Sequence, residues 1–206
     1  MIKRELYLNK IRPYMDKNLI KVISGIRRCG KSVILQQICE ELENSGVDEE
    51  NIILINLELM EYSNIKNINE FYDLINKKIN NKSRKTYLLL DEIQNIENWE
   101  KLVNSYLAEG NYDIYITGSN SKLLSGELAT YLTGRFVEIK IYPFSFLEYL
   151  EYKKTNNKYL NEYEQFKEYM KYGGMPSTFD FEEIEKTQYL QDLYNSIIFK
   201  DILAVQ

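Results

Sequence analysis

Eight residues near the start of the chain have the types and spacing to hold a polyphosphate. They are Gly25-Ile26-Arg27-Arg28-Cys29-Gly30-Lys31-Ser32, and they satisfy the pattern G-x4-G-K-[ST] in full. The glycines allow a tight turn in which several backbone N–H groups face inward. The start of the following helix adds the positive end of its dipole, and together they make an anion nest. Lys31 would reach the β and γ phosphates, and Ser32 would offer its hydroxyl to Mg2+. Gly25 through Val33 are the candidate nucleotide-binding residues. Arg27 and Arg28 either add charge beside the phosphates or pack outward, and outward packing is the favoured reading. Cys29 is a candidate for sensitivity to oxidation or alkylation.

A second constellation follows at Tyr87-Leu88-Leu89-Leu90-Asp91-Glu92. Two acids sit directly after an apolar strand, and α/β sheets gather ligands at the carboxyl ends of their strands. Asp91 is placed to hold the Mg2+ shell. Glu92 is placed to orient and deprotonate an attacking water. Each Asn-Lys pair in the chain lacks Asp two positions later. That pattern argues against a guanine-specific site and for an adenine nucleotide.

The next strand ends in Thr117-Gly118-Ser119-Asn120. Thr117 and Ser119 rank first as groups that could touch the γ-phosphate or the lytic water. A helix N-cap is the plainer role for Ser119 and Asn120. Arg135 is one of only six arginines. Its planar guanidinium suits the charge of a transferring phosphoryl group. It is read as a candidate arginine finger, in cis or in trans, with a structural salt bridge as the alternative.

These residues need strands and helices to bring them together. Apolar runs at 19–24, 52–57, 87–90, 114–117 and 136–141 read as strands. Residues 6–13, 31–44, 68–80, 99–107 and 121–132 read as helical. Strands alternating with helices imply a parallel, right-handed α/β sheet. From Pro143 onward the pattern turns helical, over 144–153, 161–172 and 181–202, with an Asn/Lys-rich break at 153–158. The expected division is a core at 1–142 and a small helical lid at 143–206. The last residues read as helix without a stop signal, as in a piece of a longer protein.

Composition narrows the chemistry further. The chain has 206 residues, a net charge of −5 and no histidine. Histidine-based acid–base catalysis, Ser-His-Asp triads and His-containing zinc sites are excluded. The net charge gives no support to a DNA partner. No apolar run approaches the roughly 18–20 residues that span a bilayer. The first residues lack a signal-peptide core, so a cytoplasmic protein without membrane contact is expected. Cys29 and Cys39 are expected to be reduced thiols. The 18 tyrosines are read as coding bias rather than as base-stacking platforms.

Taken together, the chain resembles the prokaryotic AAA-like P-loop ATPases that usually carry a further C-terminal domain. The resemblance rests on Gly25–Ser32 with its Arg-Arg, Leu88–Gln94 followed by Trp99-Glu100, Ile116–Ser119 and Gly134-Arg135. It extends to Pro143-Phe144-Ser145-Phe146 with Glu148, and to Gly173-Gly174-Met175-Pro176. It implies an AAA-type P-loop NTPase sheet with a helical lid, ATP and Mg2+ as cofactors, and catalytic roles for Lys31, Ser32, Asp91 and Glu92. Self-association is a further implication. Mg-dependent ATP hydrolysis coupled to lid or partner-domain movement is the leading expectation. A nucleotide-switched binding module and a small-molecule kinase are the alternatives.

Overall fold

The computed structural model describes residues 1–81, 83–118, 132–156 and 160–198. Five parallel strands form its centre: β1 (Ile20–Gly25), β2 (Ile52–Asn56), β3 (Thr86–Asp91), β4 (Tyr112–Gly118) and β5 (Phe136–Ile141). Their order across the sheet is β2-β3-β4-β1-β5. The register pairs Ile20 with both Ile114 and Phe136, and Leu88 with Ile114. All strands point the same way, so their carboxyl ends share one edge of the molecule.

Period-two alternation sends side chains to two covered faces. On one face, Ile23, Leu89, Tyr115 and Ile139 pack beneath α1 (Glu5–Ile11) and α2 (Lys31–Asn44). On the other, Val22, Ile55, Leu90 and Ile116 pack beneath α3 (Ile68–Lys78) and α4 (Trp99–Glu109). The central strands β1, β3 and β4 are buried throughout. The apolar run of β2 suits a strand covered on both faces, but β2 lies at the sheet edge and its Leu54 is 40% exposed.

After the sheet come α5 (Phe146–Asn156), α6 (Glu162–Tyr172) and α7 (Glu183–Ile197). Their interior is aromatic rather than aliphatic. The rings of Phe146 and Phe166 lie 5.1 Å apart, and those of Tyr149 and Phe179 lie 5.0 Å apart. Asn161 caps α6 by accepting from the Tyr163 N–H, and Glu182 forms a capping box with Glu185 on α7.

Two motifs far apart in sequence meet at the base of this helical region. The Phe144 N–H donates to the Gly174 carbonyl at 2.8 Å. A Cβ at position 174 would overlap the Phe144 carbonyl, so only glycine fits there. The helix expected at 121–132 and the chain end from 199 lie almost wholly outside the described residues, as does part of the 153–158 break.

Candidate nucleotide site

The phosphate loop leaves β1 at its carboxyl end and enters α2 at Lys31. Gly25 must be glycine, because a Cβ would stand 2.5 Å from the Ile141 carbonyl oxygen and 2.7 Å from the Cys29 sulfur. Gly30 has φ +103 and Arg28 has φ +62. The second is an unfavourable conformation for a side chain of that size.

Lys31 is nearly buried, and its ammonium makes only long contacts. It lies 3.3 Å from the Gly25 carbonyl, 3.4 Å from that of Ile26 and 3.6 Å from the Glu92 carboxylate. Charge-assisted bonds from nitrogen run at about 2.7–2.9 Å. Lys31 is therefore held loosely enough to take a stronger acceptor.

The order β3-β4-β1 sets the rest of the site. Asp91 ends β3 and is buried. The Thr117 hydroxyl, from β4, donates to Asp91 and accepts the Glu92 N–H at 3.0 Å. One hydroxyl thus ties the two acids to the strand beside the phosphate loop. Glu92 has φ +54, a strained turn, and its carboxylate lies 3.6 Å from the Lys31 ammonium. Gln94 donates its amide to the same carboxylate.

A cavity of about 770 Å3 opens over these residues. Its polar lining includes Arg27, Arg28, Lys31, Ser32, Glu58 and Glu92, and its apolar lining includes Ile2, Phe144, Pro176 and Phe179. Arg27 and Arg28 therefore face the cavity. Arg28 donates to the Tyr189 hydroxyl of α7 at 3.0 Å, so the loop touches the helical region directly.

Burial pushes the Cys29 thiol above its ordinary value, with Lys31 and Arg4 acting against the rise. The residue is fully enclosed. This removes the thiolate character that the expected reactivity needs. Both cysteines are free.

Ser119 and Asn120 lie outside the described residues. Arg135 is described, and it stands at the wrong end of the sheet for its own site. Its carbonyl accepts from the N–H of Ile20, the first residue of β1, and its side chain donates to Asn104. A six-residue strand at about 3.3 Å per residue spans roughly 20 Å, so a finger acting in cis is ruled out by distance.

Sequence reasoning missed two residues. Glu58 lies just past the carboxyl end of β2, a position that could have drawn notice. Arg4 lines the cavity fully buried, and nothing in its local sequence announces that.

A family model described as an AAA domain matches residues 17–150. The chain belongs to the AAA domain family. It is 46% identical over 202 residues to an uncharacterized protein of Haemophilus influenzae, covering 98% of this chain and 50% of that one. It is 36% identical over 201 residues to an uncharacterized protein of Methanocaldococcus jannaschii, covering 90% and 42%. The chain thus spans about half the length of the curated relatives it matches.

Among solved structures, it is similar to AMPPCP-bound DnaA from Aquifex aeolicus, with a TM-score of 0.55, 13% identity, and coverage of 97% of this chain and 63% of that one. It is also similar to the replication initiator DnaA bound to AMPPCP and single-stranded DNA, with a TM-score of 0.58, 14% identity, and coverage of 97% and 66%. These likenesses show the fold: an AAA+ core of parallel sheet and flanking helices followed by a helical region. No described helix is long and apolar enough to cross a membrane.

Proposed function

We propose that this AAA domain binds Mg-ATP in the cavity over the phosphate loop and hydrolyses it. The observation that carries the reading is the convergence of Lys31, Glu92 and the Asp91–Thr117 pair at the carboxyl ends of three adjacent strands. The triphosphate would lie on the loop's N–H groups and Lys31. The base would lie against apolar residues that line the cavity, among them Ile2, Phe144, Pro176 and Phe179.

The donor set fits Mg2+. Ser32 opens onto the cavity and Asp91 ends β3, and both offer hard oxygen. Among the described residues no group of three or more Cys, Asp or Glu could hold a metal alone. Mg2+ held by Ser32 and Asp91 would complete its shell with phosphate oxygens and water. When bound, Mg2+ would supply charge neutralisation on the phosphates. Glu92 would orient the water and accept its proton. Its tie to Lys31 must loosen as the phosphates claim the ammonium.

Titration with a fluorescent ATP analogue and a phosphate-release assay test this reading. Wild type should bind and release phosphate, and Glu92→Gln should bind but release at least about 100-fold more slowly. A well-folded wild type that retains no nucleotide in magnesium buffer refutes it. The helices after Pro143 would act as a lid, with Arg28 and Tyr189 linking it to the loop.

Arg135 remains a finger only in trans, between copies of this chain. Mixing Arg135→Ala with Lys31→Ala protein should then restore activity that neither variant shows alone. A mixture that stays inactive removes that role.

A further inference from the structure

Arg4 is fully buried, and the nearest residue in sequence that its side chain bonds, Cys29, is 25 positions away. All five of its guanidinium N–H groups have acceptors. Nε donates to Glu148 Oε1 at 2.9 Å. Nη1 donates to the carbonyls of Cys29 and Tyr142, both at 3.0 Å. Nη2 donates to Glu148 Oε2 at 3.1 Å and, at 3.5 Å, to the Pro143 carbonyl. The faces of the group are covered by the rings of Tyr7 at 4.5 Å and Phe144 at 4.6 Å. The Arg4 backbone is fixed too, because its N–H donates to Gln37 of α2.

No donor is left for a ligand, so Arg4 lines the cavity without being free to bind in it. Its bond to the Cys29 carbonyl has a different consequence. The Cys29–Gly30 peptide is trans and planar, so its carbonyl and the Gly30 N–H point in opposite directions. Gripping one end fixes the aim of the other. Gly30, with φ +103 and no Cβ, does little to hold that plane itself. The pin comes from outside the loop. Its far anchor is Glu148 in the first turn of α5, which also accepts from the Ser145 N–H and hydroxyl.

We infer that Arg4 is a positioning residue for the phosphate loop, holding the Cys29–Gly30 peptide in its anion-binding orientation and tying that orientation to the base of the helical region through Glu148. This rests on the nucleotide reading above, but its effect on the loop can be measured without nucleotide.

The experiment compares wild type with Arg4→Lys and Glu148→Gln. Arg4→Lys keeps the charge but loses the planar fork. Glu148→Gln keeps the shape, and being partly solvent-facing it preserves the test if the Arg4 variant does not fold. Two readouts are taken: affinity for a fluorescent ATP analogue with Mg2+, and amide hydrogen exchange at Gly30 and Lys31 in the unliganded protein.

Affinity should fall about tenfold, the equivalent of roughly 1.4 kcal/mol. Exchange at the two loop amides should rise while that of β1 and β4 stays put. A lowered melting temperature with unchanged affinity, or unchanged loop exchange, overturns the inference and leaves Arg4 a packing residue. If wild type binds no nucleotide, the nucleotide reading fails. The positioning role then stands or falls on exchange alone.

Discussion

Two buried lysines, Lys21 within β1 and Lys31 at the start of α2, stand toward opposite ends of the sheet and are partnered in opposite ways. Lys21, toward the amino end, contacts Asp113 closely, donates to the Lys17 carbonyl at 3.0 Å and lies 5.1 Å from the centre of the Tyr115 ring. Asp113 in turn accepts from the Tyr115 hydroxyl at 2.8 Å and from the Asp16 N–H at 3.0 Å. Burial pushes the Lys21 ammonium below its ordinary value of 10.5, and Asp113 opposes that fall. Lys31, at the carboxyl end, has no contact shorter than 3.3 Å among those described. The first end is a closed network. The second holds a charge in reserve, next to a strained glutamate and a buried Gln94 oxygen without a partner among the described residues. The sheet thus has its paired charges at one end and the candidate site at the other.

The sharpest way to break this comparison is Asp113→Ala. It strands a buried ammonium and should cost about 3–5 kcal/mol in urea denaturation, with nucleotide affinity per folded molecule unchanged. Lys31→Ala should do the reverse. It should lose about 100-fold in nucleotide affinity, or about 2.7 kcal/mol, with little change in urea midpoint. If the two variants exchange these phenotypes, the division of labour is wrong.

Thr117→Val sharpens the picture at the carboxyl end. It removes the hydroxyl between Asp91 and the Glu92 N–H and should cost about 1–3 kcal/mol. Single-turnover phosphate release should slow more than affinity falls.

The smallest effect expected is on acid stability. Burial alone would raise the Glu148 carboxyl, but Arg4 and the Ser145 N–H together hold it below its ordinary value of 4.5. A depressed carboxylate stabilises the fold above its unfolded value, and that contribution is lost as pH falls through the folded one. Melting temperatures measured from pH 6 downward should therefore drop below about pH 4.5. Glu148→Gln should flatten that drop by about 1 kcal/mol.

The placement of much of the candidate site was legible because its signals are local. The eight-residue loop, the Asp91-Glu92 pair and Thr117 each sit at the end of an apolar run that can only be a buried strand. The boundaries of α2 and β5 agree with their sequence reading to the residue. What escaped depends on contacts between distant segments. Arg4 reaches Glu148 across 144 positions, and Glu58 matters only once β2 is known to point its carboxyl end at the cavity. Arg135 directly precedes the run read as a strand at 136–141, so its place at the amino end of a parallel sheet was implicit in the sequence, and the register of β1 with β5 agrees with it.

The helical region's junction with the core depends on one absent methyl group. At Gly174 the opposing carbonyl of Phe144 leaves no room for a side chain. Even alanine would act as a wedge, prying the Pro143–Phe146 corner from the segment that follows α6. The same corner and the residue before it carry the Pro143 and Tyr142 carbonyls that Arg4 holds. Replacing one hydrogen with a methyl group, well outside the phosphate loop, would therefore be felt inside it.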